Sequence, residues 1–272
     1  MNRAEFLNLS QKSFEVDERA SIIHSTVLDG FLWLTHGVTT RQFAASESET
    51  FDLMADVRRR LAPGGSRILC CEQIHGRRVE VVESEQCYAG TDRARTRGPV
   101  VQLLGADGLI VTAPSLPIAV RTADCVPLLL VDVRRRWVAA IHAGWRGSLE
   151  RISENAVAAM KRLGSAEDDL VAWMGPAISV EAYEVGPELA GRFRVAFPQF
   201  EGIVSDDHHL DLVLLNACQL RAAGVPAAQI HAANLCTAHH LDLCHSYRAE
   251  GDRQGRMVAY AMILPTGPAA ND

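Results

Sequence analysis

The chain has 272 residues, is 48% hydrophobic and carries a formal net charge of −6. The apolar fraction is ample for a core and argues against disorder, and without a long basic run no nucleic-acid surface is expected. No apolar stretch approaches the about 20 residues of a membrane span. The opening M-N-R-A-E-F-L-N-L-S-Q-K lacks the apolar centre of a signal peptide, so a cytosolic protein is expected.

Residues 1–20 read as a polar, irregular lead-in, 21–265 as a single domain and 266–272 as a tail. Strands are expected at 31–34 and 68–71. Between them, 49–61 places apolar residues at 51, 53, 54, 57 and 61, a helical period ended by Pro63-Gly64-Gly65. A strand at 79–82 follows a turn at Gly76, and 88–99, rich in Gly, Thr and Arg, reads as a loop. The centre is strand-rich, at 108–112, 118–120, 128–131 and 137–141, with Arg134-Arg135-Arg136 as a solvated hairpin turn. Residues 148–163 read as one amphipathic helix stopped by Gly164. A strand at 170–174, helices at 187–197 and 211–223, and late strands at 230–234 and 257–263 complete the pass. Strands follow one another without intervening helices, so the fold class expected is α+β, mixed sheets with helices packed outside. Neither a Gly-x-Gly-x-x-Gly loop nor a Walker loop is present.

There are seven cysteines, Cys70, Cys71, Cys87, Cys125, Cys218, Cys236 and Cys244, an odd number that argues against a disulfide framework in a reducing compartment. Cys125 stands out by its neighbours. It lies beside Asp124 in I-A-V-R-T-A-D-C-V-P-L-L-L-V-D, a polar insert between two apolar runs. Two other segments share this design of an apolar strand followed by a metal-capable residue: C-C-E-Q-I-H-G, carrying His75, and V-A-A-I-H-A-G-W-R-G, carrying His142. Two imidazoles and one thiolate suit zinc, and three protein ligands leave a position for water or substrate. Pro127 would stiffen the exit from the cysteine loop, and Gly144 and Gly147 would admit close backbone approach. The same residues also allow a cysteine hydrolase, with Cys125 as nucleophile and His142 or His75 as base, or plain structural roles; spacing does not separate these.

The segments Q-I-H, A-D-G-L-I-V-T, T-A-D-C-V-P, H-A-G-W-R-G, G-P-A-I…Y-E-V-G and C-T…S-Y-R…G…G-R together resemble the YfiH/laccase-domain family, also called the polyphenol oxidase or peptidoglycan-editing-factor family. The resemblance runs from about His36 to about Ile263. It implies a layered α/β/β/α fold and a metal held by His75, Cys125 and His142. Two departures stand out. T-T-R-Q-F-A-A-S-E-S-E-T replaces the family's Gly-Gly-Val-Ser stretch, which would alter one wall of the substrate pocket, and Ala182 stands where the family often has Cys.

Other motif residues become candidates. Arg146, ahead of the helix expected from 148, could hold phosphate at a helix N-terminus or pair with Asp124. Asp107 and Asp124 could orient a ligand histidine or act as acid/base, and Asp107 also reads as a turn residue. Arg41 and Arg248 are candidates for anion or ribose contacts by family position; Tyr247, in a loop ahead of Gly251, could bind substrate through its hydroxyl or make a structural hydrogen bond, and Gln73 is a further substrate-contact candidate. Trp145 could stack on a base or simply pack. His208-His209, His239-His240 and His245 form no ligand pattern.

The resemblance implies zinc-dependent phosphorolysis of adenosine, inosine, guanosine and methylthioadenosine, with deamination of adenosine; the partners are then nucleosides and inorganic phosphate. The alternatives are a copper phenol oxidase, a hydrolase editing cell-wall precursors, and a non-catalytic metal-binding regulator. A multicopper centre typically uses His-x-His pairs, and this chain has none.

Overall fold

The computed structural model describes residues 13–43, 50–61, 66–88, 90–205, 208–251 and 255–265. The chain opens with β1 (Glu15–Asp17), β2 (Ile22–His24) and β3 (Leu34–Thr39), then helix α1 (Thr50–Leu61), β4 (Ile68–Cys71) and β5 (Val79–Val82). Six strands follow without a long helix: β6 (Ala94–Arg97), β7 (Val100–Leu103), β8 (Gly108–Val111), β9 (Ile118–Thr122), β10 (Val126–Asp132) and β11 (Trp137–Ala143). Helices α2 (Trp145–Leu149) and α3 (Ile152–Leu163) lead to β12 (Leu170–Met174) and α4 (Pro187–Ala196). The short pair β13 (Val204–Ser205) and β14 (His209–Leu210) precedes α5 (Leu212–Ala222), β15 (Ile230–Ala232), the one-turn α6 (Tyr247–Glu250) and β16 (Met257–Ile263). Among the described residues no helix is long and apolar enough to cross a membrane.

The strands form an eight-stranded sheet, ordered β1-β2-β3-β16-β9-β4-β7-β6, and a six-stranded sheet, ordered β15-β12-β10-β11-β8-β5. Both faces of each sheet are covered, which is why the central strands read as unbroken apolar runs. Period-two alternation then assigns each residue to a layer. In β4, Leu69 and Cys71 enter the core between the sheets, while Ile68 and Cys70 face Leu53, Met54 and Val57 of α1. In β10, Leu129 and Val131 enter the same central core, while Leu128 and Leu130 face Ile152, Ala156 and Met160 of α3 and Leu214 of α5. The fold is therefore α+β with α/β/β/α layers, as expected.

Several boundaries differ from the sequence reading. The strand expected at 31–34 starts only at Leu34; Phe31 and Trp33 pack against each other at 5.8 Å instead, and Leu32 is exposed. The loop expected at 88–99 contains β6, an exposed edge strand paired to β7, which the sequence reading missed. The helix expected at 148–163 is two helices. Arg151 breaks it at φ 64°, its guanidinium bound to Glu154 and to the carbonyl of Ala196, over the Phe197 ring. The lead-in contributes β1, and Arg134-Arg135-Arg136 forms a turn whose amides are held by Asp132. The proposed helix stop at 63–65, residues 44–49 of the altered stretch at 39–50, residues 1–12 of the lead-in and the tail at 266–272 lie outside the described residues.

Topology brings distant residues together. Strands β4, β7 and β9 run parallel in the large sheet. Each is followed by a crossover into the small sheet, to β5, β8 and β10 respectively. All three crossovers must therefore leave from one end of the sandwich. They carry His75, Asp107 and Cys125. Strand β11 runs antiparallel to both β10 and β8, so its final residues, including His142, return to that same end.

Candidate metal centre

The polar insert between two apolar runs is now accounted for: Asp124 and Cys125 occupy the step at which the chain changes sheets. Cys125 Sγ and one ring nitrogen each from His75 and His142 all lie within 4.8 Å of one another. The two imidazoles meet edge to face, ring centroids 4.8 Å apart. His142 lies inside β11, opposite Pro127 of β10, rather than after the strand.

Asp107 organises the trio. Its carboxylate is fully buried. Oδ1 lies 2.9 Å from His142 Nδ1 and accepts the His75 amide at 2.9 Å; Oδ2 accepts the Gly76 amide at 2.8 Å. These bonds hold His75 at φ 62°, in the left-handed region that a non-glycine residue occupies only when surroundings enforce it. They also commit Nδ1 of His142 to the carboxylate, leaving Nε2 for a ligand. Of the two carboxylates considered from sequence, Asp107 is thus the one that orients a histidine.

Asp124 has another task. Its Oδ1 accepts from Thr237 Oγ1 at 2.6 Å and Ser246 Oγ at 2.7 Å, and Oδ2 accepts the Arg248 amide at 2.7 Å. With both oxygens engaged, it ties the cysteine crossover to the loops before α6.

Burial opposes charge at the trio, but mutual attraction prevails. The imidazoles of His142 and His75 pull the Cys125 thiol from 9.0 down to about 6. Against the same burial, Cys125 and Asp107 push His142 from 6.5 up to about 9. The metal-free pair is accordingly thiolate and imidazolium around neutral pH. Thiolate absorbance of the metal-free protein, measured as a difference from Cys125→Ala, should therefore appear with a midpoint near pH 6 as pH rises. A midpoint near the ordinary thiol value would contradict this charge arrangement. Zinc affinity should fall as pH drops below about 9, where binding must displace the His142 proton, and more steeply below about 6, where it must displace the Cys125 proton as well.

Gly144 abuts the trio. A Cβ there would sit 3.0 Å from Cys125 Sγ, 3.1 Å from His75 Cδ2 and 3.6 Å from His142 Cε1. The gathered donors, one thiolate and two imidazoles with ligand atoms within 4.8 Å of one another, fit a zinc ion in kind and in spacing. Gly144→Ala should fold but lose most bound zinc. Undiminished zinc content by elemental analysis, with an unchanged circular dichroism spectrum, would contradict the placement.

Other candidates are distributed around this core. Arg146 lies in the five-residue α2, exposed, its guanidinium 4.5 Å from the Trp145 ring centroid; Asp124 is not its partner. Trp145 packs against the core beneath Arg146 and Arg192, so packing rather than base stacking describes it. Helix α2 is anchored from behind: Asn216 Nδ2 donates to Ser148 Oγ at 2.9 Å and Gln219 Nε2 donates to the Ser148 carbonyl at 2.7 Å. Gly147 is required there, since a Cβ would lie 2.6 Å from the Gly76 carbonyl oxygen. Arg248 and Tyr247 are exposed on α6, with the Arg248 guanidinium 5.2 Å from the Tyr183 ring centroid.

Two further substrate-contact candidates, Gln73 and Arg41, have partners within the fold. Gln73 donates to the Arg121 carbonyl at 2.7 Å and accepts the Arg121 amide at 2.8 Å, imitating a strand partner. Arg41 is ion-paired with Glu250 and bonded to the Leu241 carbonyl. Tyr183 was not singled out from the sequence, although it opens the Y-E-V-G motif. Burial, reinforced by the charge of Cys125, pushes its phenol up to about 12, so it stays protonated at neutral pH.

The model for the multi-copper polyphenol oxidoreductase laccase family matches residues 35–264. The chain belongs to this family. It is 38% identical over 170 residues to a protein of Bacteroides thetaiotaomicron named purine nucleoside phosphorylase, a match spanning 59% of this chain and 62% of that relative, less than two thirds of its length. It is 36% identical over 189 residues to adenosine deaminase RL5 from an unknown prokaryote, across 68% of this chain and 70% of that one. The crystal structure of YlmD from Geobacillus stearothermophilus is similar with a TM-score of 0.79 at 28% identity, covering 93% of this chain and all of the other.

Proposed function

We propose that this family member is a zinc-dependent purine nucleoside phosphorylase, acting on adenosine, inosine, guanosine and methylthioadenosine, with adenosine deaminase activity, and that His75, Cys125 and His142 hold the metal. The observation that carries the reading is the convergence of one thiolate and two imidazoles beside Gly144, with Asp107 fixing one of them. The names of relatives support the chemistry. A bound zinc would supply Lewis acidity and a water acidified to a pKa of about 7. In phosphorolysis, a phosphate oxygen bonds to ribose C1′ while the glycosidic C–N bond breaks, its electron pair leaving on the purine, which takes up a proton. In deamination, the oxygen of water bonds to C6 of adenosine while the C6–N bond breaks, the amino group leaving as ammonia and the nucleoside becoming inosine.

The protein's own groups divide the work. Asp107 keeps His142 in one tautomer and His75 in its left-handed turn. The guanidinium of Arg146, exposed on the helix that Gly144 caps, would offer a planar fork to the phosphate dianion. Arg248 and Tyr247 on α6 would contact the nucleoside, and Tyr183, which remains a phenol, is a hydrogen-bond donor beneath Arg248.

Copper deserves a second reading because the family carries it in its name and because one thiolate with two imidazoles also suits that metal. A multicopper oxidase needs several centres. Among the described residues, His75, Cys125 and His142 form the single convergent group of three or more such ligands. Zinc is therefore the metal we assign.

The test is a product time course from adenosine and inosine with and without phosphate. Adenosine alone should give inosine slowly; phosphate should divert it to adenine and convert inosine to hypoxanthine. Phenol oxidation by a copper-loaded protein, with no base release, would favour the second reading. Arg146→Lys keeps the charge but loses the fork. It should raise the Michaelis constant for phosphate more than that for inosine, and unchanged constants and rate would remove Arg146 from the assignment.

A further inference from the structure

We propose that the groove between α3 and the start of β5 binds a phosphoryl anion at a site separate from the metal centre. Asn155, Ala159 and Arg162 recur at i, i+4 and i+7, so they share one face of α3. That face looks onto β5, the edge strand of the small sheet, and together with Arg77, Arg78 and Val79 it lines a cavity of about 390 Å³. Ala159 is buried and small, which leaves the space open between the longer side chains.

The charge of this groove is unbalanced. Arg78 is neutralised by Glu80. Arg77 and Arg162 are exposed and have no ion-pair or hydrogen-bond partner among the described residues, and no Asp or Glu lines the cavity. Two unpaired guanidiniums at one concavity, in a chain whose net charge is −6, create a local positive potential that draws an anion and repels a metal cation. Their planar forks match phosphate oxygens, and the Asn155 amide supplies a neutral donor. A cavity of this volume admits inorganic phosphate or a small phosphomonoester.

The position links the groove to the metal centre. Arg77 follows His75 by two residues in the same crossover, and the Arg78 carbonyl accepts the amides of Asp107 at 3.0 Å and Gly108 at 3.2 Å. An anion held by Arg77 therefore bears on the segment that carries a ligand and on the carboxylate that orients it.

Calorimetric titration of the purified protein with inorganic phosphate tests the site in wild type, the Arg77→Ala/Arg162→Ala double variant and Arg146→Lys. A pentose phosphate in a second arm separates the two sources of the phosphoryl group, and tighter binding of either is consistent with the groove. The double variant should lose one binding component, weakened about tenfold or more, while Arg146→Lys retains it. Without phosphate the double variant should unfold at the wild-type temperature, since both side chains are exposed. Wild-type phosphate stoichiometry and affinity in the double variant would overturn the inference. The assignment of Arg146 to phosphate at the metal centre is read from the other component, so either proposal can fail alone.

Discussion

Cys125→Ala is expected to fold normally, lose most of its zinc and lose nearly all turnover. The thiolate is the one anionic donor of the trio, and the imidazoles alone leave a weaker site. Substitutions in the groups behind metal ligands commonly cost about 10–100-fold in metal affinity or activity, so removing a ligand itself should cost more than about 100-fold. Stability should change little, because Cys125 is partly exposed in a crossover rather than packed in one of the three core layers. Elemental analysis and phosphate-dependent inosine cleavage on the same sample decide it. Stoichiometric zinc in the variant would show that the metal is held elsewhere. Turnover in a zinc-free wild type, lost in the variant, would make Cys125 a nucleophile.

Asp107→Asn should be nearly as damaging, although the side chain keeps its shape. Every group facing the carboxylate is an N–H: the amides of His75 and Gly76 and, as the ligand tautomer requires, Nδ1 of His142. Whichever way the amide is turned, its NH2 meets a donor, and a buried unmatched donor costs about 1–3 kcal/mol. Turned toward His142, it would also force the proton onto Nε2, the nitrogen needed for the metal. We expect zinc affinity or activity to fall about 10–100-fold, measured by chelator competition. Unchanged affinity would mean that His142 is held adequately without Asp107.

The sequence was informative where one physical signal dominated. Strands covered on both faces, such as Ile68–Cys71 and Leu170–Met174, are unbroken apolar runs and were placed at their observed bounds. The edge strand Ala94–Arg97 was missed because an exposed edge needs no apolar run. The break at Arg151 was hidden because apolar periodicity continues through it, while its cause, the carbonyl of Ala196, is remote in sequence. The metal-capable trio could be named from strand ends and motif resemblance. Its assembly could not be derived from spacing, since it depends on two crossovers leaving the same end of one sheet and on β11 returning His142 to that end. For the same reason the partners of Gln73 and Arg41 were not legible: Arg121 and Glu250 are their neighbours only in the folded chain.

The central claim is that one zinc ion held by His75, Cys125 and His142 serves base release from purine nucleosides. The most direct measurement is titration of chelator-stripped protein with zinc while phosphate-dependent inosine cleavage is followed. Activity should rise linearly to one equivalent of zinc per chain and then stop, with no such rise in Cys125→Ala. Full activity before any zinc is added, or an unchanged response in the variant, would contradict the account.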